Sequence, residues 1–174
     1  MKKLTLFYLL ISSSLFGQKI FPAINSGGGM FKVSDQVPVA DKNLKYRVVV
    51  DIHEGAAKPD SLNGGMEKMA RLINLYMDSG IPKENIDISA IFHFTATPVI
   101  LNDEAYTKKF GVPNPNTKLM NEMAAWGAKF YICGQSLHMR KLVNEPRNSN
   151  VQVVQSAMVY LSTKQLKGYV VIVP

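Results

Sequence analysis

The chain has 174 residues, 47% of them hydrophobic and 19% charged, enough apolar material for one packed domain and too much for intrinsic disorder. Its formal charge of +7 comes from scattered Lys and Arg residues, with pairs such as Lys108 and Lys109 but no run of five, so nucleic-acid binding is not expected. A single cysteine, Cys133, excludes an intramolecular disulfide and leaves a thiol that is buried, reactive or paired with another chain.

The first 17 residues predict a secretory signal peptide: Lys2 and Lys3 supply the positive start, and Leu4 to Ile11 form an apolar run too short for an ordinary membrane span. Gly17 is the expected cleavage point, and an uncleaved anchor is the competing reading. A periplasmic or otherwise exported protein is expected, with no stable membrane insertion after the signal is removed. Without Lys2 and Lys3 the remaining basic residues exceed the 13 acidic ones by five.

Residues 18–44 carry Pro22, Gly27, Gly28, Gly29 and Pro38 without a sustained period and predict an extended N-terminal arm. Phe21, Ile24, Met30 and Phe31 make it too apolar for a plain linker, so part of it is expected to pack on the domain or on a neighbouring subunit. The domain proper is expected over residues 45–174.

Tyr46 to Ile52 is a β-branched run suited to a strand buried on both faces. Met66, Met69, Ala70, Ile73, Tyr76 and Met77 then recur at helical spacing, closed by Gly80 and Pro82. Leu72 and Leu75 fall outside that stripe and suit an oligomer contact or a sheet-covering face. Ile86 to Phe94 predicts a second strand, Thr95 to Asn102 a short connection, and Asp103 to Phe110 a helix ended by Gly111. A helix capped by Asn116 or Thr117 runs to Gly127, followed by a strand from Lys129 to Cys133. Gly134 to Leu142 predicts a turn into a short helix, Val151 to Val154 a fourth strand, Ser156 to Gln165 a helix, and Tyr169 to Val173 a fifth strand. The alternation predicts a three-layer α/β/α sandwich with a five-stranded parallel sheet and right-handed crossovers.

In such sheets the functional crevice lies beyond the carboxyl ends of the strands. Three strands end there in polar residues: the first at His53 and Glu54, the second at His93, and the third at Cys133 followed by Gly134, Gln135 and Ser136. A thiol placed before a helix start is favoured as thiolate, whereas a small buried hydrophobe is the plainer role for a free cysteine, and position alone leaves both open. His93 in IFHF suits a core histidine as well as a catalytic one. His53, His93 and Cys133 together could ligate zinc, but no CxxC or HxxxH spacing supports this, and no metal is expected. P-loop, GxGxxG and GxSxG motifs are absent from the sequence.

The segments FYICGQSL, NPNTKLMNEMAAWGA, DISAIFHF and VVQSAMVYLSTKQLKGYVVIVP together resemble the DsrE/DsrF-like family over about Tyr46 to Pro174. The resemblance implies a flavodoxin-like five-stranded parallel fold, homo-oligomers such as trimers or hexamers, and, in the sulfur-relay branch, a strand-end cysteine that passes persulfide sulfur. Cys133 occupies that place in ICGQSL. The sulfur-relay members are cytoplasmic, which departs from the export expected here. The resulting expectation is a persulfide carrier that uses Cys133, exchanges sulfur with a thiol or persulfide donor and acceptor, and needs no cofactor. His53, His93, Gly134, Gln135 and Ser136 are expected to line its pocket. The alternative is a non-enzymatic oligomeric module that binds a small ligand and buries Cys133.

Overall fold

A computed structural model of the chain describes residues 18–174; the expected signal peptide lies outside the described residues. Five parallel strands form one sheet, β1 (Tyr46–Ile52), β2 (Ile86–Phe92), β3 (Lys129–Cys133), β4 (Val151–Val154) and β5 (Val170–Ile172), in the order β4-β3-β2-β1-β5. The helices are α1 (Gly64–Asp78), α2 (Asp103–Phe110), α3 (Thr117–Trp126), α4 (Gly134–Met139) and α5 (Ala157–Leu166).

The strand order dictates where the helices lie. Three successive steps from β1 to β4 travel one way across the sheet, and right-handed crossovers place all their helices on one face. The return from β4 to β5 reverses direction and sends α5 alone to the other face. The packing follows this division. A large core gathers Met66, Met69 and Ile73 of α1, Leu119, Met120 and Met123 of α3, and Leu137 of α4 against Val48, Val50, Ile88 and Phe130. A small one gathers Val49, Ile91, Cys133 and Ala157, with Tyr131, Tyr160 and Tyr169 packed at its margin. Val48, Val49 and Val50 are all buried because the sheet is covered on both sides.

The second strand is shorter than the sequence suggests. It ends at Phe92, and residues Phe94–Ile100 form a 3-10 helix where a plain connection was expected. The Ala96 N–H donates to the carbonyls of both His53 and His93, and the Thr97 hydroxyl donates to the Phe94 carbonyl, so the chain coils immediately beyond the strand. Asn116 sits at the cap position of α3 without capping it; its side-chain oxygen accepts from the Asn63 N–H instead.

The arm packs on the domain over its first half. Ile20 and Met30 pair antiparallel, and Ile24 is fully buried in the large core. Asn74 of α1, itself fully buried, accepts from the N–H groups of Ala23 and Ile24 and donates to the carbonyls of Ile24 and Gly28. Glu122 of α3 accepts from the N–H groups of Asn25 and Ser26. Gly28 has φ +68°, and a Cβ there would lie 2.2 Å from the Arg71 nitrogen, so only glycine permits this approach to α1. Leu72 packs against the large core, and Leu75 is exposed. Among the described residues no helix is long and apolar enough to cross a membrane.

Candidate functional site

The connections leaving β3 and β4 depart to opposite faces, α4 to one and α5 to the other, which makes the gap between these neighbouring strands the topological switch point of the sheet. Cys133 is the last residue of β3 and pairs with Val154, the last of β4. Its thiol therefore lies where two helix starts converge. Burial opposes ionisation, but hydrogen bonds from the Ser136 hydroxyl and from the N–H groups of Ser136, Ala157 and Gln135 outweigh it and hold the thiol below the usual cysteine range. Cys133 is 4% exposed.

The residues after Cys133 have separate tasks. Gly134 lets the two strand ends approach, since a Cβ there would stand 3.0 Å from the Val154 carbonyl oxygen. Gln135 offers its N–H to the sulfur while its side-chain amide reaches the Gln155 carbonyl at 3.5 Å. Ser136 is buried and accepts from the Phe94 N–H at 3.1 Å, which ties the thiol pocket to the turn after β2. That turn is strained: Phe94 has φ +51°, a left-handed conformation costing a bulky side chain about 1 kcal/mol or more. Its exposed ring carries the Arg140 guanidinium 5.4 Å from its centroid.

Two clefts open at this edge of the sheet. One, of about 280 Å³, is lined by His93, Phe94, Ser136, Met139 and Arg140 and reaches the thiol pocket through Ser136. The other, of about 370 Å³, is lined by Asp51, His53, Glu54, Lys68, Pro174 and their neighbours between β1 and α1. His93 stands between the two. Its Nε2 lies 2.6 Å from Asp51 Oδ1, and its ring centroid is 5.8 Å from that of His53.

The residues expected to share one pocket divide between neighbouring clefts, with His93 and Ser136 lining the same one and His53 the other. Cys133, Gly134, Gln135 and Ser136 form the thiol pocket, whereas His53 and His93 gather around Asp51. The ligating atoms of Asp51, His53 and His93 all lie within 4.8 Å of one another, and Cys133 is not in the group. The metal set of two histidines and the cysteine considered above does not form. Asp51 escaped the sequence reading because it lies inside an otherwise apolar strand; its spacing of two from His53, which places both on one face, was the available signal.

Behind the site runs a chain of buried amides. Asn114 donates to the carbonyls of Val99 and Leu101, its oxygen accepts from Asn116, Asn116 accepts from the Asn63 N–H, and Asn63 donates to the Glu54 carbonyl. The Asn63 oxygen also caps α1 by accepting from the Met66 N–H. This network fixes the loop after β1, and with it the wall of the larger cleft.

A five-stranded parallel α/β fold with a hydrogen-bonded thiol at its switch point defines a small α/β protein with a cysteine pocket. The chain belongs to the DsrE/DsrF-like family, whose model matches residues 48–174. Among solved structures, it is similar to MTH1491, a protein of unknown function from Methanobacterium thermoautotrophicum, with a TM-score of 0.57 and 21% identity over 74% of this chain and 99% of that one. It is also similar to the ychN protein from E. coli, with a TM-score of 0.54 and 16% identity over 74% of this chain and 97% of the other. At these identities the likeness is one of fold. A search of curated proteins gives no match.

Proposed function

We propose that the protein carries sulfane sulfur on Cys133. The observation that carries this reading is the ring of donors on the sulfur, from the Ser136 hydroxyl and the N–H groups of Gln135, Ser136 and Ala157, which favours thiolate despite burial. Membership of the DsrE/DsrF-like family supports a sulfur-relay-like role. In the first step the Cys133 thiolate attacks the outer sulfur of a persulfide R–S–SH. The donor S–S bond breaks, R–S⁻ departs as thiolate, and Cys133 holds the sulfur as Cys133–S–SH. An acceptor thiolate then attacks that outer sulfur, takes it as its own persulfide and returns the Cys133 thiolate. Neither step changes the net oxidation state, so no redox cofactor is required. Sulfur loaded on the chain should pass to an added low-molecular-weight thiol and regenerate the unmodified mass; a loaded sulfur that no thiol removes would contradict carriage.

The 4% exposure of Cys133 favours a second reading, a binding module in which the thiol is structural and the clefts hold a small ligand. Alkylation under native conditions separates the two, since a structural thiol reacts only on unfolding.

The same proposal places the protein outside the cytoplasm, on the strength of the signal-like residues 1–17. It also makes the protein a homo-oligomer, a trimer or hexamer. Exposed apolar side chains support assembly: Met158, Val159 and Leu166 on α5, and Val170 on the edge strand β5. Light scattering of the purified protein tests it, and a monomer at all concentrations would contradict it.

A further inference from the structure

We propose that Asp51, His53 and His93 form a mononuclear site for a divalent first-row transition metal of the zinc type. Asp51 and His53 are two residues apart at the end of β1, a spacing that brings their side chains to one side of the strand. The register pairs Ile52 with Phe92, so His93 follows directly alongside His53 on the next strand. Two donors from one strand and one from its neighbour thus converge, with all three ligating atoms within 4.8 Å.

The donor set selects the class of ion. Two imidazole nitrogens and one carboxylate oxygen suit a borderline cation such as zinc or ferrous iron, whereas calcium and magnesium prefer an all-oxygen shell. Three protein ligands also leave a position for water or a small ligand, and the cleft of about 370 Å³ that Asp51 and His53 line provides its access. Around an ion at about 2.0–2.2 Å the donors stand roughly 3–3.5 Å apart. The 2.6 Å contact between His93 Nε2 and Asp51 Oδ1 therefore opens by less than about 1 Å, and the other donor pairs, no more than 4.8 Å apart, close by at most about 1.8 Å.

Charge and support point the same way. The Asp51 side chain is only 15% exposed, with a ring nitrogen of His93 at 2.6 Å, and among the described residues no Lys or Arg lies within 4.0 Å of it. A largely desolvated carboxylate in this setting is stabilised by a cation. The backbone beneath the site is fixed: the His53 carbonyl accepts from the Thr95 hydroxyl and the Ala96 N–H, and the His93 N–H donates to the Ile52 carbonyl.

The site does not depend on sulfur carriage, because Cys133 is outside the group. The full chain, stripped with chelator, should bind one zinc ion in a calorimetric titration. Cobalt in its place should give the intense visible bands of four- or five-coordination without a thiolate charge-transfer band. Asp51→Asn, which preserves side-chain shape, and His53→Ala should each weaken zinc binding at least about tenfold, with far-UV circular dichroism confirming the fold. Cys133→Ser should leave affinity and spectrum unchanged. Failure of the folded chain to bind, binding that survives both substitutions, or a cobalt spectrum lost in Cys133→Ser would overturn the proposal.

Discussion

The Ser136 oxygen accepts from the Phe94 N–H at 3.1 Å while the Ser136 hydroxyl turns to the Cys133 sulfur, so one side chain joins the turn after β2 to the thiol at the end of β3. This link makes the acidity of the thiol depend on a side chain that is also anchored to the turn after β2.

Ser136→Ala should therefore shift Cys133 alkylation to higher pH. With the hydroxyl gone, burial is less opposed and the thiol loses acidity. A hydrogen bond to a charged group is worth about 1.5–3 kcal/mol, so the iodoacetamide reaction at neutral pH should slow roughly tenfold or more. The backbone donors remain, so reactivity should not vanish. An unchanged pH profile would show that the hydroxyl does not serve the sulfur.

The same acidity has a signature in folding. Because the folded thiol lies below the usual range, and an unfolded cysteine titrates near about 8.5, there is a window in which the unfolded chain holds a proton that the folded chain has released. Stability rises with pH across that window, and the gain is lost as pH falls through the folded value. Urea midpoints of the native chain should climb towards pH 9 relative to those of Cys133→Ser. Parallel curves would contradict a stabilised thiolate.

Asn74 fastens the arm through four hydrogen bonds from a fully buried position. Asn74→Ala leaves several backbone groups unpaired and should cost about 3 kcal/mol or more. Residues 18–31 should then be cleaved by protease before the α/β core. Glu122 adds a pH dependence: burial raises its pKa, but hydrogen bonds from Ser26 and Asn25 outweigh this and leave it below the usual range. Its contribution is present above the unfolded value of about 4.3 and is lost as pH falls through the lowered folded value. Digestion with an acid-stable protease below about pH 4 should release the arm first in the native chain, and Glu122→Gln should release it at neutral pH.

Much of this architecture is written in local patterns. The β-branched run at Tyr46 to Ile52 and the runs at Lys129 to Cys133 and Val151 to Val154 have the bounds of the strands they form; in β1, burial of Val48 to Val50 on both faces demands continuous apolar sequence. The placement of Cys133 at a strand end followed from the same pattern. What the sequence withheld depends on contacts between distant segments. Asn74 reads as one more helical residue until the arm lies across it, and Asn116 reads as a cap until Asn63 claims its oxygen. Asp51 acquires meaning only when the β1–β2 register brings His93 beside it. The left-handed Phe94, which ends β2 two residues early, has no local cue, since glycine is the residue that ordinarily marks such a conformation.

The most direct measurement is the intact mass of the folded protein before and after exposure to polysulfide, with Cys133→Ser alongside. Sulfur carriage predicts a gain of one sulfur atom that a reducing thiol removes and that Cys133→Ser does not show. A folded protein whose mass does not change, or a gain that persists in Cys133→Ser, would contradict the assignment of sulfur transfer to this cysteine.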